Sequence, residues 1–284
     1  MGAVSEMDRA VNPAYLQDQY GTTERLRIRL ATHQQYSERQ DDFVGWMLDQ
    51  LEPRAGDRVL DVGCGTGVYH AALVARGVRV IAAVDASPAM VEATQRQAEE
   101  QGWPVVTLRG EAQALPLPDR AYDVGMANHM LFHVPDQRAA LRELRRVLKP
   151  GGRVLLATNA ADHAARLRSL HEQAARAHGW VPSASPGDRF NLDNDEHLAL
   201  VQEAFPFAER RVRHDAFVFP TVDAVLRLYA SGPIDAIEDR PADGSHRPPL
   251  LAHVGEQVER IITQEGVLRV PKDAGCFVAE VPRD

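Results

Sequence analysis

Cysteine is scarce in this sequence: only Cys64 and Cys276, far apart along the chain, so the fold is not expected to rest on disulfides. Long apolar runs are missing as well. No stretch approaches the roughly 20 apolar residues of a membrane span, and none near the N-terminus has the length and flanks of a signal peptide. A reducing cytoplasm is the expected home, and no membrane partner is expected. Positive charge is also short: 32 Lys and Arg stand against 40 Asp and Glu, a formal net charge of −8. A nucleic-acid partner would have to be met by a local patch working against that field, so none is expected. The one basic cluster, Arg142, Arg145, Arg146 and Lys149, falls at helical spacing near a helix end, where it complements the helix dipole. No His or Cys cluster has metal-ligand spacing, so no metal is expected. Repeats and low-complexity tracts are absent.

What remains is an ordinary globular composition, 44% hydrophobic and 25% charged, sufficient for a well-filled core in a monomer or homodimer. Before residue 58 the pattern is helical. Leu26, Ile28 and Leu30 mark one apolar face, and Phe43, Met47, Leu48 and Leu51 another. Ser37 with Gln40 reads as a capping box, placing a helix start near residue 38. From Arg58 short β-branched runs at 58–62, 79–84, 105–109, 122–127 and 153–158 alternate with helical stretches. Ser87-Pro88 opens one helix that Gly102 closes, and Asp136 opens another that runs to Leu148. This rhythm predicts a doubly wound α/β fold with a mostly parallel sheet covered on both faces. Farther on we expect helices at 162–178, 194–204, 221–231 and 249–265, a long strand at 208–219, a mobile loop at 232–249 and a final strand or strand pair.

The run Val59-Leu60-Asp61-Val62-Gly63-Cys64-Gly65-Thr66-Gly67 reads as a buried strand, a glycine turn and a helix start. Such a turn lets a ligand lie against the backbone, because glycine has no Cβ and tolerates positive φ. The dinucleotide fingerprint would place its third glycine at position 68, which is Val68; here it comes one place early, at Gly67. Cys64 reads as a small filler of the turn.

The segment Leu60–Gly67 resembles the first motif of the class I S-adenosylmethionine-dependent methyltransferases, and the likeness continues in register. Val84-Asp85, Gly110-Glu111-Ala112 with Leu115-Pro116-Leu117, Tyr122-Asp123-Val124 with Leu131-Phe132-His133-Val134, and Leu148–Val154 resemble the later motifs in order. The resemblance implies a Rossmann-like fold with a seven-stranded sheet, and S-adenosylmethionine as cofactor with S-adenosylhomocysteine as product. It puts Asp85 on the ribose hydroxyls, since a carboxylate can accept from two neighbouring hydroxyls. Ala86 and Met90 would lie beside it, Glu111 would accept from the adenine amino group next to Ala112, and Gly63, Gly65, Gly67 and Asn128 would line the cleft. Glu at position 111 is a mild departure, since Asp is commoner there. Asp61 either braces the turn or reaches the ligand amine through water.

In a subset of the family an N-terminal lid helix closes a Tyr over the methionine end. Arg29, His33 and Tyr36 are spaced to share one helical face, where they would hold the ligand carboxylate or remain a polar outer face. Residues 1–57 are therefore expected to form lid helices, and 58–284 the cofactor domain with substrate-side cover from 159–192 and 221–265. Acid or base candidates are His129, His133 and Tyr36, with His33 and Tyr229 behind them, His133 having the alternative of only tying its loop; His163, His171 and His178 are expected near an exposed helix face. The expected function is methyl transfer to a small molecule, in specialised metabolism. The alternatives are a cyclase releasing methylthioadenosine to form an azetidine amino acid, and a non-catalytic S-adenosylmethionine-binding protein.

Overall fold

The structure, a computed structural model, describes residues 9–283. Three helices come first: α1 (Pro13–Tyr20), α2 (Glu24–Tyr36) and α3 (Phe43–Leu51). Strands and helices then alternate as β1 (Arg58–Val62), α4 (His70–Ala75), β2 (Val80–Asp85), α5 (Pro88–Gln101), β3 (Val105–Arg109), β4 (Tyr122–Asn128), α6 (Gln137–Val147) and β5 (Leu148–Asn159). The C-terminal part adds α7 (Ala165–Ala177), α8 (Asp195–Ala204), β6 (Glu209–Arg213), β7 (Ala216–Phe219), α9 (Val222–Ala230), α10 (Arg247–Glu265), β8 (Leu268–Pro271) and β9 (Ala274–Glu280).

Seven strands form one sheet in the order β3-β2-β1-β4-β5-β9-β6. It is parallel through β5, and β9 runs antiparallel to both of its neighbours. Both faces are covered, which is why the strands read as near-continuous apolar runs. Leu60, Val62, Val84 and Leu156 pack with α6 and α8 on one face. Val59, Ile81, Val124, Met126 and Leu155 pack with α3 and α4 on the other. Burying each such Val or Leu contributes about 1.5–3 kcal/mol, so the strand segment with the glycine turn is held rigidly from two sides.

Helix ends follow the sequence signals in most places. The Ser87 side chain accepts from Met90 N ahead of Pro88, and Asp136 accepts from Ala139 N. The basic cluster on α6 serves structure: Arg146 bridges Glu143 and Asp119, and Lys149 pairs with Asp123.

Four expectations need correction. Ser37 ends α2 instead of opening a helix; Asp42 caps α3, its carboxylate accepting from Gly45 N at 2.8 Å. Helix α3 is no lid, because Met47, Leu48 and Leu51 belong to the sheet's core; among the described residues of 1–57, the stretch from Ala10 through α1 and α2 approaches the mouth, and residues 1–8 lie outside the described ones. The long strand at 208–219 breaks at His214-Asp215. There the Asp215 carboxylate takes bonds from Lys272 and from the N–H groups of Arg39 and Ala216, and the chain switches to a separate two-stranded sheet, β7-β8. The 232–249 stretch is tied down: buried Asp235 accepts from Arg25, His246 and Arg247, and α10 starts within the stretch, at Arg247.

The small sheet, with α7, α9 and α10, builds a second core around Phe217, Phe219, Tyr229, Leu250 and Val270. Helix α2 stands on this cover: Tyr36 lies 5.2 Å from the Phe219 ring, and Arg25 reaches Asp235. Leu26, next to Arg25, lies by the glycine turn, where it is the nearest neighbour that a Cβ on Gly65 would meet, at 3.7 Å.

Candidate cofactor and acceptor site

The sheet reverses its strand order beside β1, between β2 and β4, and open α/β sheets bind ligands outside the strand ends at such a point. The turn after β1 takes Gly63, Gly65 and Gly67 all into positive φ, at 67°, 55° and 73°. Of these three, only Gly65 would take a Cβ without a clash, its nearest neighbour Leu26 standing at ordinary contact distance, so a side chain there would project between the turn and α2.

Asp85 sits at the next strand end. Its two oxygens accept from Gly65 N and Ser87 N, each at 2.9 Å, which locks the carboxylate to the turn. Burial raises its pKa, with the two N–H donors working in the opposite direction. Ala86 beside it is exposed and Met90 is buried under the helix start. Glu111, exposed at the exit of β3, acts on Asp85 electrostatically, and Ala112 is buried next to it. Asp61 turns inward, its Oδ2 lying 3.0 Å from Nε2 of buried His70, so it braces the turn. His70 is a partner that the sequence reading did not foresee.

Several buried polar atoms at this mouth have no partner: Nη2 of Arg29, Oδ1 of Asp61, and both Oδ1 and Nδ2 of Asn128. Buried polar groups are nearly always hydrogen-bonded, so a cluster of orphans marks a place where a ligand supplies the bonds. A cation, a carboxylate oxygen and an amide match a zwitterion. This donor and acceptor set therefore fits the amino-acid end of a zwitterionic ligand. Among the described residues no group of three or more His, Cys, Asp or Glu is arranged to hold a metal.

The expected helical face of α2 divides. Arg29 lies 5.5 Å over the Tyr20 ring, within the mouth. His33 lies 4.7 Å from Phe217, and desolvation by the surrounding protein, with Lys272 next, holds its pKa well below the usual value. Tyr36 packs on the cover and away from the turn. The lid tyrosine at the mouth is Tyr20, whose hydroxyl bonds His133 Nε2 at 2.9 Å. The sequence reading passed over it because its helix carries no apolar pattern pointing to a site. The available signal was its place, at a helix end next to Gly21.

His133 is tied at both ring nitrogens. Nδ1 faces the carbonyl of Ala10 at 2.9 Å, so it donates there, and Nε2 must accept from Tyr20. With both nitrogens engaged by the lid segment, the ring is a clasp, held neutral by burial with a pKa down to about 4. His129 stands just after Asn128 with φ at +52°, a strained backbone for a residue with a side chain, its ring 6.3 Å from Phe43. Burial lowers its pKa to about 4. Among the histidines expected at an exposed helix face, His163 instead precedes α7 with its Nδ1 3.2 Å from the Asp273 carbonyl, and burial lowers its pKa to about 4. His171 is buried against Tyr229, which removes both from the site; His178 is exposed.

Comparison with known proteins adds to this geometry. Residues 60–156 match the family described as Methyltransferase domain. An uncharacterized methyltransferase of Mycobacterium tuberculosis is 38% identical over 185 residues, 65% of this chain and 68% of that one. The malonyl-(acyl-carrier protein) O-methyltransferase of Halorhodospira halophila is 33% identical over 238 residues, 82% of this chain and 77% of that one. Against three other curated relatives, 39–42% identical, the chain spans 32–51% of their length. The crystal structure of the YcgJ protein of Bacillus subtilis shares the fold with a TM-score of 0.59 at 24% identity, covering 85% of this chain and 98% of that one. The glycine turn, the carboxylate locked at the end of β2, the seven-stranded sheet and these relatives agree: the chain belongs to the class I S-adenosylmethionine-dependent methyltransferases.

Proposed function

We propose that this protein transfers a methyl group from S-adenosylmethionine to a small-molecule acceptor. The observation that carries the reading is the set of orphaned buried atoms on Arg29, Asp61 and Asn128 around the glycine turn. Bound there, the cofactor supplies a methyl group already activated by the sulfonium, so the protein need only align a nucleophile, exclude water and accept a proton. Arg29 is assigned to the ligand carboxylate, Asp61 and Asn128 to its amine, Asp85 to the ribose hydroxyls, and Glu111 to the adenine amino group. Tyr20 and His133 latch the lid, and His129, neutral at physiological pH, lines the acceptor side.

A small acceptor is supported by the enclosure from α2 above and the second core beside it, and by the acidic balance, which disfavours a polyanionic substrate. Relatives are named for methylation of malonyl-acyl-carrier protein and of demethylmenaquinone, so the family acts on carrier-borne as well as free acceptors. Specialised metabolism and a cytoplasmic location remain part of the proposal; among the described residues no helix is long and apolar enough to cross a membrane.

The test is calorimetry with S-adenosylmethionine, followed by mass spectrometry over a panel of phenols, amines and carboxylates with a no-acceptor control. Adenosylhomocysteine formed only with an acceptor supports methyl transfer. Methylthioadenosine in the control would replace it with cyclisation, and binding without turnover with a non-catalytic role.

A further inference from the structure

Asp61 lies near the end of β1 with Ala83 of β2 on one side and Met126 of β4 on the other, so two neighbouring strands fix its main chain. Side chains alternate along a strand, and Asp61 shares with Val59 the face that Leu73 of α4 covers. His70, the first residue of α4, meets it there. Its Nε2 stands 3.0 Å from Oδ2 of Asp61, and the two residues are 0% and 1% exposed. A carboxylate only accepts, so Nε2 carries the hydrogen. The ring in turn is held by the glycine turn. His70 N donates to the carbonyl of Gly67, and a Cβ on Gly67 would stand 2.6 Å from Nδ1. The glycine that comes one place early for a dinucleotide fingerprint thus makes room for this imidazole.

We propose that His70 is a positioning residue: by holding Oδ2 it aims Oδ1 of Asp61 at the ammonium group of the cofactor, and so makes the site select an adenosyl ligand that carries this amine. The inference rests on the methyl-transfer reading above, which puts the amino-acid end of the cofactor at this mouth. Oδ1 is buried and has no partner, and no Arg or Lys pairs with Asp61 among the described residues. A buried anionic oxygen without a donor is costly, and an ammonium supplies both the missing charge and the missing N–H. Asp85 is different in kind: both of its oxygens already take a main-chain N–H, which suits it to neutral hydroxyls. Without the imidazole no donor fixes the plane of the Asp61 carboxylate, so its alignment with the amine is lost.

The test is calorimetry with two ligands, adenosylhomocysteine and its deamino analogue, which keeps the thioether and the carboxylate but lacks the amine. Native protein, His70→Leu and His70→Gln are compared. His70→Leu removes the donor and should weaken adenosylhomocysteine about tenfold, the worth of one oriented charged hydrogen bond, while leaving the deamino analogue unchanged. His70→Gln places an amide N–H where Nε2 stands and should restore adenosylhomocysteine to within about threefold of native. If His70→Leu does not fold, His70→Asn, whose shorter amide leaves no donor at the Nε2 position, carries the same contrast. Equal losses of both ligands in the Leu variant, or unchanged adenosylhomocysteine affinity there, overturn the positioning role, since a merely bracing His70 acts on both ligands alike or on neither. Equal affinity of the native protein for the two ligands overturns the assignment of Asp61 to the amine, and failure of the native protein to bind adenosylhomocysteine overturns the methyl-transfer reading beneath it.

Discussion

Asp85 shows how one side chain serves both fold and ligand. Its oxygens accept from Gly65 N and Ser87 N, yet each retains a second lone pair for a ribose hydroxyl. Replacing Asp85 with Ala should weaken S-adenosylmethionine by about 1.5–3 kcal/mol, as measured by calorimetry; unchanged affinity would refute its assignment. At the lid, Tyr20→Phe removes the bond to His133 and should weaken adenosylhomocysteine severalfold, whereas Tyr36→Phe should leave it unaltered, because Tyr36 packs on Phe219. A larger effect at Tyr36 would restore the expectation drawn from helical spacing. The contrast marks what sequence conveys at this scale. Gly63, Gly65, Gly67 and Asp85 are local, set by a strand and the turn after it, so a motif finds them. Tyr20 and His70 gain their places from partners that only the fold brings near, and no local motif marks them.

Among the elements, the parallel strands and their helices were legible because burial on both faces and the helix caps write themselves into composition. The cover was not: β6 and β7 form one continuous run in sequence, and only the buried pairing of Asp215 with Lys272 divides it. A stretch rich in Pro, Asp and Gly likewise read as mobile, although Asp235 fixes it to α2 and α10. The Asp235 side chain is 2% exposed and accepts from the partly exposed Arg25 and Arg247 and from buried His246, so Asp235→Ala removes their shared acceptor and should destabilise by about 1.5–3 kcal/mol. The lid should feel this first. Hydrogen exchange across 24–36 is expected to accelerate in the variant and to slow in the native protein when adenosylhomocysteine binds. Exchange in that helix that ignores both changes would count against a lid anchored on the cover.

The whole molecule carries three histidines, His129, His133 and His163, each held by burial at a pKa of about 4. The ordinary value in an unfolded chain is about 6.5, so as pH falls the unfolded chain takes up protons before the folded one does. Stability is therefore full above about 6.5 and declines as pH falls toward about 4. Thermal unfolding across that window should show a falling midpoint, and His133→Gln should flatten the slope. A midpoint independent of pH between those limits would show that these rings titrate freely. The position of β9 bears on how the protein is made. It fills the gap between β5 and β6, yet it follows β6 by about sixty residues. At a synthesis rate of roughly 5–20 residues per second, the nascent chain holds two unsatisfied strand edges for about 3–12 s before the missing strand leaves the ribosome. Ribosomes stalled between these two points should present β5 and β6 to chaperones, and release of the chaperone should coincide with the emergence of Ala274–Glu280.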